Sequence, residues 1–301
     1  MSFGGGTPRV ARVFRWVWFT GGVGIRHLTR AGVALAVLGG VAGGTAYGAR
    51  ELLHRQAAQA RRAIGKPLGE RAPDADRHYK KKRGEPVDLL LLGDSIAAGL
   101  GADRGKDTLG SRLARGIASS AGRSVRLRTA AVVGSESSML ASQLASLPRG
   151  YRPDVAVIVV GGNDVTHRVP VAESVRHLVE AVEDLRARGT EVVVGTCPDL
   201  GALRPVPQPL RALGSRASRQ LAEAQREAAL ARGARVVSLA HVVGPFFITN
   251  PEEMFSLDRF HPSAHGYKRT AKAMLPSVLA ALGVVADVPF GHHAPDVGGS
   301  G

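Results

Sequence analysis

Residues 89–101 read LLLLGDSIAAGLG, and this stretch changes at one point from wholly apolar to small and polar. Its apolar part has the length and composition of a strand that is buried on both faces of a parallel sheet. The glycines that follow permit a tight turn, which leaves Ser95 at the carboxyl end of that strand. Open α/β sheets build their sites at this end, where a serine can act as a nucleophile if a base reaches it. The alternative is a serine that only caps the next helix.

From residue 87 onward, runs of strand type alternate with helical patterns. The strand-like runs cover 87–93, 124–133, 153–160, 190–196 and 234–240, and the helical patterns cover 107–121, 137–147, 170–188, 209–232 and 263–282. This alternation predicts an α/β fold in which helices cover both faces of a mostly parallel sheet. We therefore expect a three-layer α/β/α sandwich with a five-stranded sheet.

Two later stretches supply residues that suit a site beside Ser95. Residues 155–164 read VAVIVVGGND, a second buried-type strand followed by glycines and an amide, and residues 258–262 read DRFHP. Together with an isolated glycine, Gly134, these stretches resemble the SGNH hydrolases, the GDSL-type esterases and lipases. The family's four marks are Gly-Asp-Ser, a glycine after the second strand, Gly-x-Asn-Asp after the third and Asp-x-x-His near the end. All four occur in order within residues 87–282, and the resemblance implies a flavodoxin-like sheet.

The resemblance also implies an activity, the hydrolysis of carboxylic esters by a serine esterase. Ser95 would attack the acyl carbon, His261 would accept its proton and pass it to the leaving alcohol, and Asp258 would orient the ring. The backbone N–H groups of Ser95 and Gly134, with the side-chain amide of Asn163, would form the oxyanion hole.

Each of these assignments has a competing interpretation. His265 also follows the aspartate, although its spacing misses the family pattern. Asn163 can simply brace a turn, since Gly-Asn-Asp is favourable turn chemistry. Asp258 can cap a turn or pair with the next residue, in which case a serine–histidine dyad would carry the reaction. We expect Asp94 and Asp164 to orient loops rather than to react.

Other kinds of site are not indicated by the sequence. The α/β-hydrolase motif Gly-x-Ser-x-Gly is broken at Ala97. The sequence has no zinc-type cluster and no Gly-x-x-x-x-Gly-Lys loop, so we expect neither a metal nor a cofactor. The single cysteine, Cys197, follows a valine-rich run and is predicted to be a buried structural thiol.

The substrate is less closely defined than the chemistry. A proline-containing segment at 200–215 and the apolar residues Phe246, Phe247, Met254 and Phe255 are expected to border the site. The aromatic group suits either an acyl pocket or ordinary core packing. A lipid acyl ester and an O-acetylated glycan both fit as substrates. An acyltransferase with the same triad, and a catalytically silent domain that binds glycan or lipid, are the alternative functions.

Positive charge is concentrated in the first part of the chain. The formal net charge is +15, and residues 1–86 hold 16 Lys and Arg against 5 Asp and Glu. Residues 50–86 are predicted to form a basic linker, in which 50–72 are compatible with a short amphipathic helix and the lysine-rich stretch that follows is solvated and can lie on anionic lipid headgroups. Residues 87–285 are predicted to form the hydrolase domain. Nucleic acid is not an expected partner, because no binding motif or interleaved aromatic residues accompany the basic runs. Residues 286–301 are expected to be a disordered tail.

A run of nineteen uncharged residues, 31–49, can serve as a membrane anchor. Arginines and aromatic residues precede the run, as at a membrane interface. A cleaved signal peptide and a soluble basic arm are the alternatives. We expect a membrane-anchored protein with an extracytoplasmic catalytic domain, or a secreted one if the segment is cleaved. Glycines spaced four apart, such as Gly40 and Gly44, suggest self-association through this helix, although chance produces the same spacing.

Overall fold

The computed structural model describes residues 45 and 47–295. The chain divides into two units between Leu52 and Leu53, and the description below concerns the larger one. Helix α1 continues in this unit to residue 64. No helix among residues 45 and 47–295 is both long enough and apolar enough to cross a membrane. The expected anchor, 31–49, lies outside the described residues except for 45 and 47–49.

The core is a seven-stranded sheet with the strand order β1-β3-β2-β4-β5-β6-β7. Its five central strands are mutually parallel: β2 (Gly84–Gly93), β3 (Arg123–Thr129), β4 (Val155–Val159), β5 (Glu191–Gly195) and β6 (Arg235–Val237). A two-residue antiparallel strand closes each edge, β1 (His78–Tyr79) beside β3 and β7 (His292–His293) beside β6. The predicted parallel strands are confirmed, but the predicted count of five omits these two edge strands.

The edge strands also change two expected boundaries. The expected disordered tail, 286–301, is wrong for residues 286–295, because β7 adds to the edge of β6 and His292 Nδ1 lies 2.7 Å from the Ser277 hydroxyl. The expected linker, 50–86, contributes α1 and β1 to the larger unit. In both places a strand edge supplies unpaired backbone groups that a short segment can satisfy.

Helices cover both faces of the sheet, as the sequence predicts. One face packs against α3 (Leu109–Ser120) and α11 (Ala264–Ala281). The other packs against α4 (Leu140–Ala145), α6 (Val171–Ala187) and α7 (Leu210–Leu230). In strand β2, Leu89 and Leu91 face the first layer of helices, and Leu90 and Leu92 face the second. Both faces of the strand are buried, so its sequence is a continuous apolar run.

Five short helices lie in the loops that follow the strands. They are α2 (Ser95–Ala98), α5 (Gly162–His167), α8 (Leu239–Val242), α9 (Gly244–Thr249) and α10 (Pro251–Met254). Each has only four to six residues, too few for a periodic pattern to appear in the sequence. These loops carry the candidate site.

Candidate active site

Ser95 is held at the end of β2 by a turn that requires glycine. Gly93 has φ 125°, and a Cβ atom there would lie 1.9 Å from the carbonyl oxygen of Val159 on the adjacent strand. The Asp94 carboxylate then caps α2 by accepting a hydrogen bond of 2.9 Å from the Ile96 amide. Ser95 is the first residue of this helix and is 6% exposed. The capping role belongs to Asp94, which leaves the Ser95 hydroxyl free to contact other loops.

The segment 258–261 is folded around the carboxylate of Asp258. Its Oδ1 atom accepts hydrogen bonds of 2.9 Å from the amides of both Phe260 and His261. Its Oδ2 atom lies 2.5 Å from His261 Nδ1. The His261 carbonyl accepts from the Ser256 amide at 2.8 Å and closes the loop. Because the aspartate binds both the backbone and the ring of a residue three positions later, the spacing fixes the ring orientation.

The two loops meet at Ser95 and His261. The distance between His261 Nε2 and Ser95 Oγ is 2.9 Å, so hydrogen bonds connect Ser95, His261 and Asp258 in one line. His265 is turned elsewhere, with Nδ1 3.3 Å from a carboxylate oxygen of Glu253. Between the two histidines, only the His261 ring contacts the serine.

Gly101 lets the loop after α2 pack against the histidine. It has φ 100°, and a Cβ atom there would lie 2.4 Å from the Pro262 carbonyl oxygen and 3.0 Å from His261 Cβ. The hydroxyl of Tyr267, a buried residue of α11, donates to the Leu100 carbonyl at 2.7 Å. Close backbone contact therefore supports the imidazole from the side of the serine loop.

The two buried carboxylates of the site have opposite pKa shifts. Burial raises the pKa of Asp258, but the His261 ring and the two backbone amides outweigh burial and hold its pKa below the usual value of 3.8. Asp94 is 2% exposed, and burial raises its pKa to about 6 despite the amide that it accepts. Asp258 is therefore a stable anion beside the histidine, while Asp94 carries a cost of ionisation at neutral pH.

The predicted oxyanion donors lie on separate loops that side chains join. Asn163, in α5, lines the same cavity as Ser95, and its Nδ2 atom donates to the Ser135 carbonyl at 2.9 Å. This leaves the second N–H of the amide for a ligand. Gly134 immediately precedes Ser135 and has φ 85°. Among the described residues Gly134 does not line the cavity, so its loop is joined to the site through Asn163.

Buried side chains that the sequence analysis did not identify brace these loops. Gln143 in α4 accepts from the Gly93 amide at 2.9 Å, and its Nε2 atom donates to the Gly93 carbonyl and the Ser135 hydroxyl. Gln225 in α7 accepts from the Cys197 amide and donates to the Val160 carbonyl. The Asp164 carboxylate accepts from the Ser137 amide, as expected for a loop-orienting residue. A glutamine on the apolar face of a predicted helix was the available signal.

A cavity of about 80 Å³ opens beside Ser95 and His261. Its wall is largely apolar and includes Leu200, Ala202, Leu203, Leu239, Val243, Phe247, Phe255 and Phe260. Of the expected border residues, the 200–203 part of the proline-containing segment and two phenylalanines line the cavity. Phe246 instead packs beneath the Arg269 guanidinium at 4.3 Å, and Met254 is buried in the core.

Neither a metal centre nor a reactive thiol accompanies this site in the described part of the chain. Residues 45 and 47–295 contain no group of three or more His, Cys, Asp or Glu side chains arranged to hold a metal ion. Cys197 is fully buried, and burial raises the pKa of its thiol well above the usual value. The prediction that it is a buried structural thiol agrees with this position.

Comparisons with known proteins agree with the fold and the motifs. The sequence profile of the GDSL-like lipase/acylhydrolase family matches residues 91–269. The GDSL-like esterase Rv1075c of Mycobacterium tuberculosis is 41% identical over 279 residues, which are 88% of this chain and 88% of that protein. Crystal structures of the esterase EstA from Pseudoalteromonas sp. and of a lipase/acylhydrolase from Enterococcus faecalis share the fold. For EstA the TM-score is 0.52 at 18% identity, and the match covers 65% of this chain and 98% of EstA. For the lipase/acylhydrolase the TM-score is 0.53 at 22% identity, and the match covers 64% of this chain and 96% of that protein. The chain belongs to the GDSL-like lipase/acylhydrolase family, the SGNH hydrolases that its four motifs resemble.

Proposed function

We propose that the protein is a serine esterase that hydrolyses carboxylic esters with a Ser95–His261–Asp258 triad. The observation that carries the proposal is the line of hydrogen bonds from Ser95 Oγ through the His261 ring to Asp258, at 2.9 and 2.5 Å, beside a cavity. A nucleophile within reach of a base that a third group orients is the arrangement needed for acyl transfer.

In the proposed reaction, His261 Nε2 accepts the Ser95 proton as Oγ attacks the acyl carbon. The resulting oxyanion accepts hydrogen bonds from the Ser95 and Gly134 amides and from the second N–H of Asn163. Collapse of this intermediate expels the alcohol, to which the imidazolium returns the proton, and leaves an acyl-serine. Water attacks the acyl-serine with His261 again acting as the base, and the carboxylic acid departs. Asp258 stabilises the imidazolium in both halves.

The apolar wall of the cavity suggests which part of the substrate it binds. Leucine, valine and phenylalanine side chains beside the nucleophile suit the acyl chain of a lipid ester better than a sugar ring. We therefore place the acyl group in this cavity, with the O-acetylated glycan as the alternative substrate. An acyltransferase would use the same triad and differ only in the alcohol that replaces water.

A fluorophosphonate probe and a series of p-nitrophenyl esters test this proposal. We expect covalent labelling at Ser95, none in Ser95→Ala, and a lower KM for hexanoate than for acetate. Persistent absence of labelling in the folded wild-type protein would favour the silent glycan- or lipid-binding alternative. Acyl transfer to added alcohols in preference to water would favour the acyltransferase.

We also propose that residues 31–49 attach the enzyme to a membrane with its catalytic domain outside the cytoplasm. The support is the uncharged nineteen-residue run with aromatic residues and arginines before it. Fractionation of the full-length protein with membranes is the expected result, and a mature N-terminus beyond residue 46 would instead identify a secreted enzyme. Crosslinking in membranes, with Gly40→Ile and Gly44→Ile for comparison, tests self-association through the same segment.

A further inference from the structure

A loop that follows β5, residues 199–209, forms one wall of the cavity with its first part, 199–203, and we call the whole loop the flap. It begins at Asp199 and ends where α7 starts at Leu210. Four of its residues line the cavity: Asp199, Ala202 and Leu203, which are buried, and Leu200, which is partly buried. Backbone hydrogen bonds shape the first part of this loop, where the amides of Ala202, Leu203 and Val206 donate to carbonyls three residues earlier. No strand ladder ties the loop to the rest of the protein, so side-chain hydrogen bonds make that connection.

Two contacts hold the beginning and middle of the flap. The Asp199 carboxylate accepts from the Gly201 amide at 2.8 Å, from the Ser215 hydroxyl at 2.7 Å and from the Arg219 guanidinium. In the middle, the Arg204 guanidinium donates to the Ile248 carbonyl at 3.1 Å. Ser215 and Arg219 belong to α7, and Ile248 belongs to α9.

The end of the flap is held from the other end of the sequence, by Gln56 in helix α1. Its Oε1 atom accepts from the Leu210 amide at 3.0 Å, and its Nε2 atom donates to the Gln208 carbonyl. One side of α1 is shielded from solvent, at Leu53, Gln56, Ala57, Ala60 and Ile64, and this spacing follows a single helical face. Gln56 is therefore the one polar residue on a packed face.

The same side-chain chemistry recurs at two other places around the site. Gln143 and Gln225 are also buried, and each pairs its amide with one backbone N–H and one backbone carbonyl. These two glutamines fix the ends of β2, β4 and β5. Gln56 makes the matching pair of bonds to the flap, which no strand supports.

We propose that Gln56 is a positioning residue that sets the shape of the cavity wall and thereby the affinity for the acyl chain. The link to the acyl chain rests on the proposed function. Without Gln56, the amide of Leu210 and the carbonyl of Gln208 lose their partners, and the flap is free to move away from the cavity at that end. The Ser95–His261 hydrogen bond lies on other loops and keeps its geometry.

The test compares Gln56→Met with Gln59→Ala in the full-length protein. Methionine keeps the length and packing of glutamine but makes no such hydrogen bonds, and Gln59 is an exposed glutamine on the same helix. For Gln56→Met we expect KM for p-nitrophenyl hexanoate to rise about fivefold to tenfold, the size expected of one or two lost hydrogen bonds. We expect kcat for the acetate ester to change less than twofold, and Gln59→Ala to match the wild type.

Hydrogen exchange provides a readout that does not depend on esterase activity. We expect the Leu210 amide to exchange about tenfold faster in Gln56→Met, with the amides of 258–261 unchanged. If the wild-type protein hydrolyses no ester, the proposed function fails while the exchange result still decides whether Gln56 holds the flap. Unchanged exchange at Leu210, or an equal loss of kcat on acetate and hexanoate, would overturn the positioning role.

Discussion

The two sides of the site are built in different ways. On the triad side, side chains contact one another directly, and Asp258 and His261 come from one four-residue segment. On the oxyanion side, the predicted donors lie on three loops after three different strands, and the side chains of Asn163 and Gln143 join those loops. The Asp258–His261 pair is thus fixed locally, whereas the predicted oxyanion donors depend on the register of β2, β3 and β4.

This difference predicts how each side responds to mutation. Removing a side chain of the proposed triad eliminates the nucleophile, the base or the carboxylate that would stabilise the imidazolium. Removing a brace on the other side leaves every predicted donor in the protein but releases the loop that carries it. We therefore expect the largest losses on the first side and smaller, graded losses where only a brace is removed.

The largest expected effect is on the triad side, in Ser95→Ala and His261→Ala. Each should lower kcat for short p-nitrophenyl esters by at least about 10⁴-fold, because nucleophile and base act as a unit. His265→Ala is the matched control, since that ring faces Glu253, and its kcat should stay within threefold of wild type. Circular dichroism checks that each variant is folded. Loss of activity in His265→Ala with retention in His261→Ala would reverse the assignment of the base.

Asp258→Asn should have the next largest effect. Asparagine can still accept the two backbone amides through Oδ1, but its NH₂ group would face His261 Nδ1 and favour the wrong tautomer. We expect kcat to fall about 10²–10⁴-fold, less than in His261→Ala. A loss below tenfold would indicate that a serine–histidine dyad carries the reaction.

On the oxyanion side, two variants distinguish the loss of a predicted donor from the loss of a side chain that only holds the loops. These variants are Asn163→Ala and Gln143→Leu. Asn163→Ala removes a predicted donor and should cost about 10²–10³ in kcat with little change in KM. Gln143→Leu removes only the contacts that tie Ser135 and Gly93 together, and we expect a loss of about tenfold in kcat. Equal losses in the two variants would mean that Asn163 acts only as a loop brace.

The same contrast explains what the sequence could predict. Central parallel strands are buried on both faces, so β2 and β4 appear as continuous apolar runs that end at the site. The Asp258–His261 spacing is local and is visible without any tertiary information. The edge strands β1 and β7 have two residues each, and the short helices after β6 have no room for a period. The catalytic and oxyanion roles of the individual residues stay predictions.

Braces between distant parts of the chain were beyond sequence reasoning for a different reason. Gln56 and Gln143 lie on the apolar faces of their helices, which signals burial but does not indicate which loop packs against them. Apart from the Ser135 hydroxyl, their partners are backbone groups, which carry no residue-specific signal. A segment interpreted as a linker thus contains a residue that contacts the end of the flap, whose first part lines the cavity.

The smallest expected effect on activity belongs to Asp94→Asn, which lies between the two sides. Asparagine keeps the cap on α2, because its side-chain oxygen can still accept from the Ile96 amide. Burial raises the pKa of Asp94 to about 6 in the folded protein, whereas the usual value is 3.8. A raised carboxyl pKa gives a stability contribution that is fully present below pH 3.8 and is lost as the pH rises through about 6. Relative to wild type, Asp94→Asn should therefore be more stable at pH 8, by about 1–3 kcal/mol, and gain less than about 1 kcal/mol at pH 4. Urea unfolding at the two pH values measures this difference, with Asp103→Asn, an exposed aspartate of the following loop, as the control.

For Asp94→Asn we expect kcat to change less than tenfold. An equal gain in stability at both pH values would show that ionisation of Asp94 is not the cause of the gain. A loss of kcat as large as that of Asp258→Asn would indicate that Asp94 takes part in the proton transfer.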